Sequence, residues 1–391
     1  MQIALIDTTP KPKVYPVSLL KIGAWRKSLG DRCALFSNTV PKENGFDEAW
    51  ITTCFTYDMA HALNLARRAS QRIKKVKVGG IAATLLPDYF ESRGFEVHRG
   101  LLPEAEKMPP DYSLLEERPT YSITHTSRGC SRRCKFCMVS RLEPDFVNRE
   151  HWEEDLDLNA KRILFFDNNW LAKSYKDLKD DTDKIKDLVK EKRIETIDFN
   201  QGLDCRLLTE KKADLFRGLP VDPVRFAFDN MSEDKHLQRA ARMLVERGFQ
   251  RFSYYALYNF MDTPDDFYYR IKQSALLKEE LGIGVEVFPM RYQPILEVNR
   301  NRDYTGKHWT PRKRFGFMAI LAIYSSSGQI SPVGGRIFTP LEEFEFWFGK
   351  DAKEFNRLIL YPKIRLLSQR KQEKLRLMRL RRKLAEGHGK A

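Results

Sequence analysis

The chain has 391 residues, 42% of them hydrophobic and 12% aromatic, which fits a globular protein of two or three domains rather than one small core. No apolar run approaches the ~20 residues needed to span a bilayer, so the composition argues against a helical membrane protein. The formal charge is +15, and residues 363–391 supply much of it, with eleven Lys/Arg against two Glu.

The chain opens on alternating strand and helix signals. Residues 2–6 are a short apolar run ending in the turn 7–10, and residues 18–29 are helix-like. Strand candidates follow at 33–36, 48–55, 75–80 and 94–98, with a basic amphipathic helix at 61–73 started by Asp58. Strands separated by helices imply a parallel sheet. Five such units in about 100 residues predict a doubly wound, flavodoxin-like domain over residues 1–102. Ligands of such sheets bind beyond the carboxyl ends of the strands, here Asp7-Thr8-Thr9, Thr52-Thr53 and Gly79-Gly80.

Residues 103–120 carry Pro103, Pro109, Pro110 and Pro119 and read as a linker. Strand candidates then recur at 121–125, 162–166, 196–200, 224–228, 252–257 and 285–288. Helical stretches lie between them at 176–190, 210–217, 234–247 and 265–281. This region spans 121–295, and residues 296–391 form a C-terminal extension.

The loop after the first of these strands holds Cys130, Cys134 and Cys137, spaced C-x3-C-x2-C. Three thiolates this close can converge on one soft metal centre. A four-iron cluster normally takes four cysteines, so three ligands leave one iron with an open position, where chemistry can occur. Zinc would need a fourth ligand, and His125 is the candidate for a Cys3His set, but no second Cys/His pair follows. Without a signal peptide or a disulfide framework, the cysteines point to a reducing, cytoplasmic compartment. Cys33 and Cys54 lie in apolar runs and read as buried core residues. Cys205 reads as a fourth ligand, a reactive thiol or a buried spectator.

The triplet, with Phe136 just before its third cysteine, resembles the signature of the radical S-adenosylmethionine (radical SAM) superfamily. The lead-in Thr126-Ser-Arg-Gly129 resembles the branch that carries an N-terminal cobalamin-binding-like domain. The resemblance covers roughly residues 1–300. It implies a partial (β/α)6 barrel over 121–295, with chemistry at the carboxyl ends of the strands. It implies a [4Fe-4S] cluster on Cys130, Cys134 and Cys137, with SAM chelated at the open iron. Reductive cleavage would then give a 5′-deoxyadenosyl radical that takes hydrogen from a substrate. An electron donor such as a flavodoxin or ferredoxin is implied as well.

The resemblance also places cofactor contacts. Phe136 belongs to the signature. Asp167 and Asn168, after the second strand, stand where the SAM ammonium would find acceptors; helix caps or turns are the plainer reading. Asp229, after the fourth strand, stands where a ribose-binding acid is common, and Arg291, after the sixth, near the adenine. Gln201, Asp204 and Arg206 alternate after the third strand, and Arg206 suits a carboxylate. The Asp-x-His-x-x-Gly cobalamin motif is missing, so the expectation is against cobalamin: histidine ligation has no motif, and only cobalamin held without a protein ligand stays open.

Trp309, Arg312, Arg314, Phe315 and Phe317, then Phe338 to Phe348, interleave aromatics with cations, as a nucleic-acid surface or a packed core would. The basic tail suits a nucleic acid, an anionic membrane surface or its own protein. The expected function is a radical SAM enzyme of unidentified substrate. The alternatives are a cobalamin-dependent radical SAM methyltransferase and a nucleic-acid-binding protein with a structural cluster.

Overall fold

The computed structural model describes residues 1–9, 14–298 and 303–313. The aromatic stretch from Arg314 onward and the basic tail lie outside the described residues.

The N-terminal unit runs β1 (Gln2–Asp7), α1 (Val17–Ser28), β2 (Arg32–Ser37), β3 (Glu48–Thr52), α2 (Met59–Ser70), β4 (Lys75–Gly79), α3 (Ile81–Leu85), α4 (Asp88–Glu91) and β5 (Glu96–Val97). All five strands are parallel, in the order β2-β1-β3-β4-β5. A parallel sheet is covered on both faces, so an interior strand such as β1 needs a continuous apolar run. Ile3, Ala4, Leu5 and Ile6 supply it and are fully buried. Ala4 and Ile6 face α2 through Ala62, Leu65 and Ala66, while Ile3 and Leu5 face α1 through Leu19. Truncating Leu65 to alanine would cost about 2–5 kcal/mol through lost burial and the cavity left behind. Asp58 stands at the N-cap position of α2 but makes no side-chain cap bond. Cys54 is exposed and Cys33 half-buried, which corrects the expectation that both are core residues. Cys54 falls just past the end of β3, where side chains leave the sheet.

The second unit runs α5 (Pro103–Glu106), β6 (Tyr121–Thr124), β7 (Ser127–Arg128), α6 (Val139–Leu142), β8 (Val147–Asn148), β9 (Arg162–Phe165), α7 (Tyr175–Lys190), β10 (Thr196–Phe199), α8 (Glu210–Leu215), β11 (Val224–Ala227), α9 (Asp234–Val245), β12 (Arg251–Tyr258), α10 (Pro264–Leu281) and β13 (Gly284–Arg291). Parallel sheets β10-β9-β6 and β11-β12-β13 are joined by single bridges, Ile197 to Val221 and Leu203 to Phe226. Helix ends follow local chemistry. Thr263 and Asp266 cap α10 reciprocally at its start, and Gly282 ends it with φ +64, a left-handed turn that suits glycine.

Alternate strand residues Ile163, Phe165, Ile197, Phe199, Phe226, Phe252, Tyr254 and Val285 pack in one core with Leu178, Ile185, Leu237, Leu244 and Leu277 of the helices. The period of two puts Leu164, Asp198, Arg225, Ser253 and Glu286 on the opposite face. There Ile123 and Leu164 pack with Tyr15, Leu20 and Tyr112. The Tyr15 hydroxyl accepts from Ile123 N at 2.7 Å, and the Tyr112 hydroxyl donates to Asp155 O at 2.7 Å. Residues 103–120 thus carry α5 and a 3-10 turn at Tyr112–Leu114 that pack on α1. Helix α3, at the carboxyl edge of the first sheet, packs against α6, just after Cys137. No helix among the described residues is long and apolar enough to cross a membrane.

Candidate functional site

The cysteine loop leaves the carboxyl end of β6, and the antiparallel pair β7–β8 closes its base. Gly129 has φ +75, and a Cβ there would lie 2.0 Å from Asp145 O, so the turn into the first cysteine requires glycine. Cys130, Cys134 and Cys137 are half-buried free thiols. Cys137 N donates to Cys134 O at 3.0 Å, turning the loop back on itself. Burial pushes the Cys134 thiol up, and the charges of Cys137 and then Cys130 push it further. Burial raises the Cys137 thiol too, with Cys130 adding to it. Thiols that disfavour one another's ionisation are stabilised as thiolates by a bound cation or metal cluster.

Cys130 Sγ also receives two N–H groups, from Arg132 N at 3.4 Å and from Asn169 Nδ2 at 3.6 Å. Three mutually interacting thiols, one already served by N–H donors, fit the donor chemistry of an iron–sulfur centre. Among the described residues, no three Cys, His, Asp or Glu side chains converge to hold a single metal ion. His125, the candidate zinc ligand, is buried with Nε2 3.9 Å from Glu106 Oε2. Burial, then the charges of Arg128, Arg149 and Lys21, hold it well below the usual histidine range.

The wall after β9 departs from the sequence reading. Asp167 does not face outward as an acceptor for a ligand. Its carboxylate is buried and takes Thr126 N at 3.0 and 3.1 Å, Thr126 Oγ1 at 2.8 Å and Ser127 Oγ at 2.7 Å. Burial raises its pKa, against those hydrogen bonds. Asp167 therefore ties down the start of the cysteine loop. Asn168 donates to Glu143 Oε2 at 2.9 Å. Asn169, the third of the run, is the one directed at a cysteine.

Glu143 was not foreseen. It accepts from Gly129 N at 2.9 Å and from Arg128 at 2.7 Å, and Arg128 also reaches Glu106 at 2.8 Å. Its signal in the sequence is that it is the lone acid among five cations between residues 128 and 143.

The opposite wall is ionic. Arg132, inside the triplet, donates from Nε to Asp204 Oδ2 at 3.0 Å. Asp204 also holds Arg206 at 2.7 Å, and Arg206 reaches Glu233 at 3.0 Å. Arg206 is thus paired with two protein carboxylates, Asp204 and Glu233. Burial raises the Asp204 carboxyl, but the Arg206 hydrogen bond and the charges of Arg206 and Arg132 outweigh it and leave it below the usual range. Cys205 is 1% exposed, with its thiol pushed up by burial.

Asp229 follows β11 and accepts from Leu257 N at 3.2 Å. Burial, then the Glu233 charge, push it up to about 7, with Arg270 opposing. Its charge also acts on Cys134 and Cys137, so it lies on the thiol side of the sheet. Phe136 meets Phe260 edge-on at 5.8 Å, and Phe260 meets Tyr292 at 4.5 Å. Arg291 ends β13 opposite Tyr258. Cys130, Cys134, Cys137, Phe136, Asn169 and Asp229 are thereby gathered at one end of the two sheets. Trp309 packs against Tyr258 and Phe267, with Nε1 donating to Asp262 O at 2.9 Å.

No family model matches the chain. It is 30% identical over 125 residues to the ribosomal protein uS12 methylthiotransferase RimO of Beijerinckia indica, covering 27% of this chain and 28% of that protein. It is 27% identical over 144 residues to the RimO of a Bradyrhizobium species, covering 32% of each. The chain thus spans less than a third of the length of these curated relatives.

In fold it is similar to the radical SAM methyltransferase TsrM from Kitasatospora setae. One TsrM structure, with cobalamin and a [4Fe-4S] cluster bound, matches with a TM-score of 0.59 and 12% identity, over 82% of this chain and 78% of that one. A second, with tryptophan and a SAM analogue bound, gives 0.56 and 12% over 71% of each. This likeness removes the support for an expectation against cobalamin, because a missing histidine motif bears on one way of holding cobalt and not on the fold that holds it.

Proposed function

We propose that the chain is a member of the radical SAM superfamily, in the branch with a cobalamin-binding-like N-terminal domain, and an enzyme that cleaves SAM reductively and takes hydrogen from a substrate. The single observation that carries this reading is the C-x3-C-x2-C loop at the carboxyl ends of the strands, its three thiols interacting and its first sulfur already hydrogen-bonded. The strand order β2-β1-β3-β4-β5 supports a flavodoxin-like first domain at 1–102, and the two bridged parallel sheets support a partial (β/α)6 barrel at 121–295.

Cys130, Cys134 and Cys137 would hold the [4Fe-4S] cluster. When reduced, that cluster would supply one electron and an open iron position for SAM. The protein's own part is orientation. Asp167 fixes the first residues of the loop, Glu143 fixes Gly129, and Asp204 fixes Arg132. Phe136, Asn168, Asp229 and Arg291 remain proposed SAM contacts. For Asp167 the proposal changes from contact to support. An electron donor of the flavodoxin or ferredoxin type would feed the cluster.

The test is anaerobic reconstitution of the full chain with iron and sulfide, then strong reduction with SAM. Stoichiometric iron and 5′-deoxyadenosine are expected. A loaded cluster that never yields 5′-deoxyadenosine would favour a nucleic-acid-binding protein with a structural cluster.

A second reading, a cobalamin-dependent methyltransferase, is favoured by the fold likeness to a cobalamin-bound protein and by the packing of α3 on α6, which sets the first sheet's carboxyl edge beside the cysteine loop. That edge carries Thr8, Thr53 and Gly80, and His61 beside it is bonded to Asn38. A visible absorption spectrum after incubation with cobalamin separates the two readings. The substrate class is open to a small molecule, a protein or a nucleic acid.

A further inference from the structure

The concave face of the two bridged sheets is occupied unevenly. On β6 and β9 it is covered: Ile123 and Leu164 pack with Tyr15, Leu20 and Tyr112. On β10 and β11 its charges neutralise each other: Asp198, fully buried, holds Arg162 and Arg225 at 2.7 Å each. Arg225 also donates to Ser253 Oγ at 3.2 Å. One row nearer the carboxyl ends, Tyr255 lies opposite the small Ala227 and donates to Asn200 O at 2.7 Å. The edge strand β13 is different. Its concave face carries Glu286, Phe288 and Met290, the first two half-buried and Met290 44% exposed. Glu286 lies opposite Ser253 in the register, and no described side chain pairs with it or hydrogen-bonds to it. Phe288 meets Tyr255 edge-on at 5.9 Å.

A carboxylate drawn partly out of water is stabilised by a cation, and aromatic rings beside it attract the same charge. We propose that Glu286 reads the charge of the substrate, a small organic amine whose ammonium docks on the carboxylate against the Tyr255–Phe288 pair. This names a substrate class for the enzyme proposed above and rests on that reading for the reaction. Charge complementarity sets the choice. Arg225 is held by Asp198 on the far side of Ser253, whereas a substrate anion would meet Glu286 unopposed. A macromolecule fits less well, because Tyr15, Leu20 and Tyr112 fill the other half of the concavity. Glu286 lies five residues before the end of β13, so it holds the end of the substrate that is away from the cysteine loop. It is a specificity-determining residue and takes no part in bond breaking.

The experiment uses the anaerobically reconstituted full chain and two probes of one shape, phenethylamine and the uncharged phenethyl alcohol, against wild type and Glu286→Gln. Dissociation constants by calorimetry with SAM present, thermal midpoint without probe, and iron per chain are measured for each protein. Wild type should bind the amine roughly tenfold or more tightly than the alcohol, and Glu286→Gln should bind the two alike. The variant should keep the wild-type thermal midpoint, since it loses no protein partner. Equal binding of the two probes by wild type overturns the proposal, whether or not the variant folds. A preference for the amine that survives in the variant also overturns it; the charge would then serve only to keep the edge strand from pairing with another copy. A variant that unfolds well below wild type without probe overturns it too, because the carboxylate would already be answered by the protein itself. Wild type that selects the amine but takes up no iron sinks the enzyme reading and leaves this site standing.

Discussion

Lys21 of α1 donates to Asp155 across 2.9 Å, and both side chains are almost wholly buried, at 2% and 0% exposed. The pair joins the first unit to the second. Lys21 also donates to Met108 O at 3.1 Å, and Arg149 Nη2 donates to Asp155 Oδ1 at 2.8 Å. Thr124 Oγ1, at the end of β6, donates to Asp155 Oδ2 at 3.0 Å. Asp155 is therefore shared between α1 and the strand that launches the cysteine loop.

Removing one member of a buried pair leaves the other uncompensated, typically at about 3–5 kcal/mol. Asp155→Ala strands two cations and should sit at or above that range. Lys21→Met leaves Asp155 with Arg149 and should cost less, about 2–3 kcal/mol. Chemical denaturation of the metal-free chain checks both, and equal stability of Lys21→Met and wild type would contradict the interdomain role.

Each of Cys130→Ala, Cys134→Ala and Cys137→Ala should lose most of the bound iron after reconstitution. Cys205→Ala, Cys33→Ala and Cys54→Ala should keep it. Iron and sulfide assays with the visible absorption spectrum decide the point. Iron loss in the Cys205 variant of intact fold would make that buried thiol a fourth ligand instead.

The Arg132–Asp204 contact should matter more to cluster assembly than to folding. Asp204→Asn leaves both Arg132 and Arg206 without their shared carboxylate. The expected result is a loss of about 1–3 kcal/mol in stability and a larger fractional loss of iron loading. Arg132→Gln should reproduce the loading defect with a smaller stability change, because Arg132 is 38% exposed. Full loading in both variants would show that the loop needs no anchor on that side.

His125 sets a pH dependence. Its folded pKa is lowered by burial and by three nearby cations, so below about pH 6.5 the unfolded chain binds a proton that the native state does not. Stability should therefore fall as pH drops from 7.5 toward 5. His125→Gln should flatten that part of the profile, by up to about 1.4 kcal/mol per pH unit. Thermal midpoints of both proteins across this range provide the check, and parallel profiles would contradict it.

Most of the fold was legible in the sequence because burial on both faces writes long apolar runs. Residues 2–6 are such a run, while 196–200 and 252–257 alternate apolar with polar residues, and each became a parallel strand. Within the site, the cysteine spacing was legible because the separation of side chains on one loop is set by chain geometry alone. The partners of those cysteines were not. Asp167, Asn168 and Asn169 are adjacent polar residues after one strand, and any of the three suited a ligand by residue type. Only folding separates them, sending Asp167 inward to Thr126, Asn168 to Glu143 and Asn169 to Cys130.

The amino-acid order by itself determined where strands and helices lie, and which three thiols stand together, since both follow from periodicity and short-range spacing. Tertiary structure alone decided which charged groups are consumed by each other and which polar atoms stay open. Arg132 and Asp204 are 72 residues apart, Lys21 and Asp155 134, and Asn169 and Cys130 39. A hydrogen bond acts over about 3 Å, so such pairings exist only once the sheets have brought distant strand ends to the same edge.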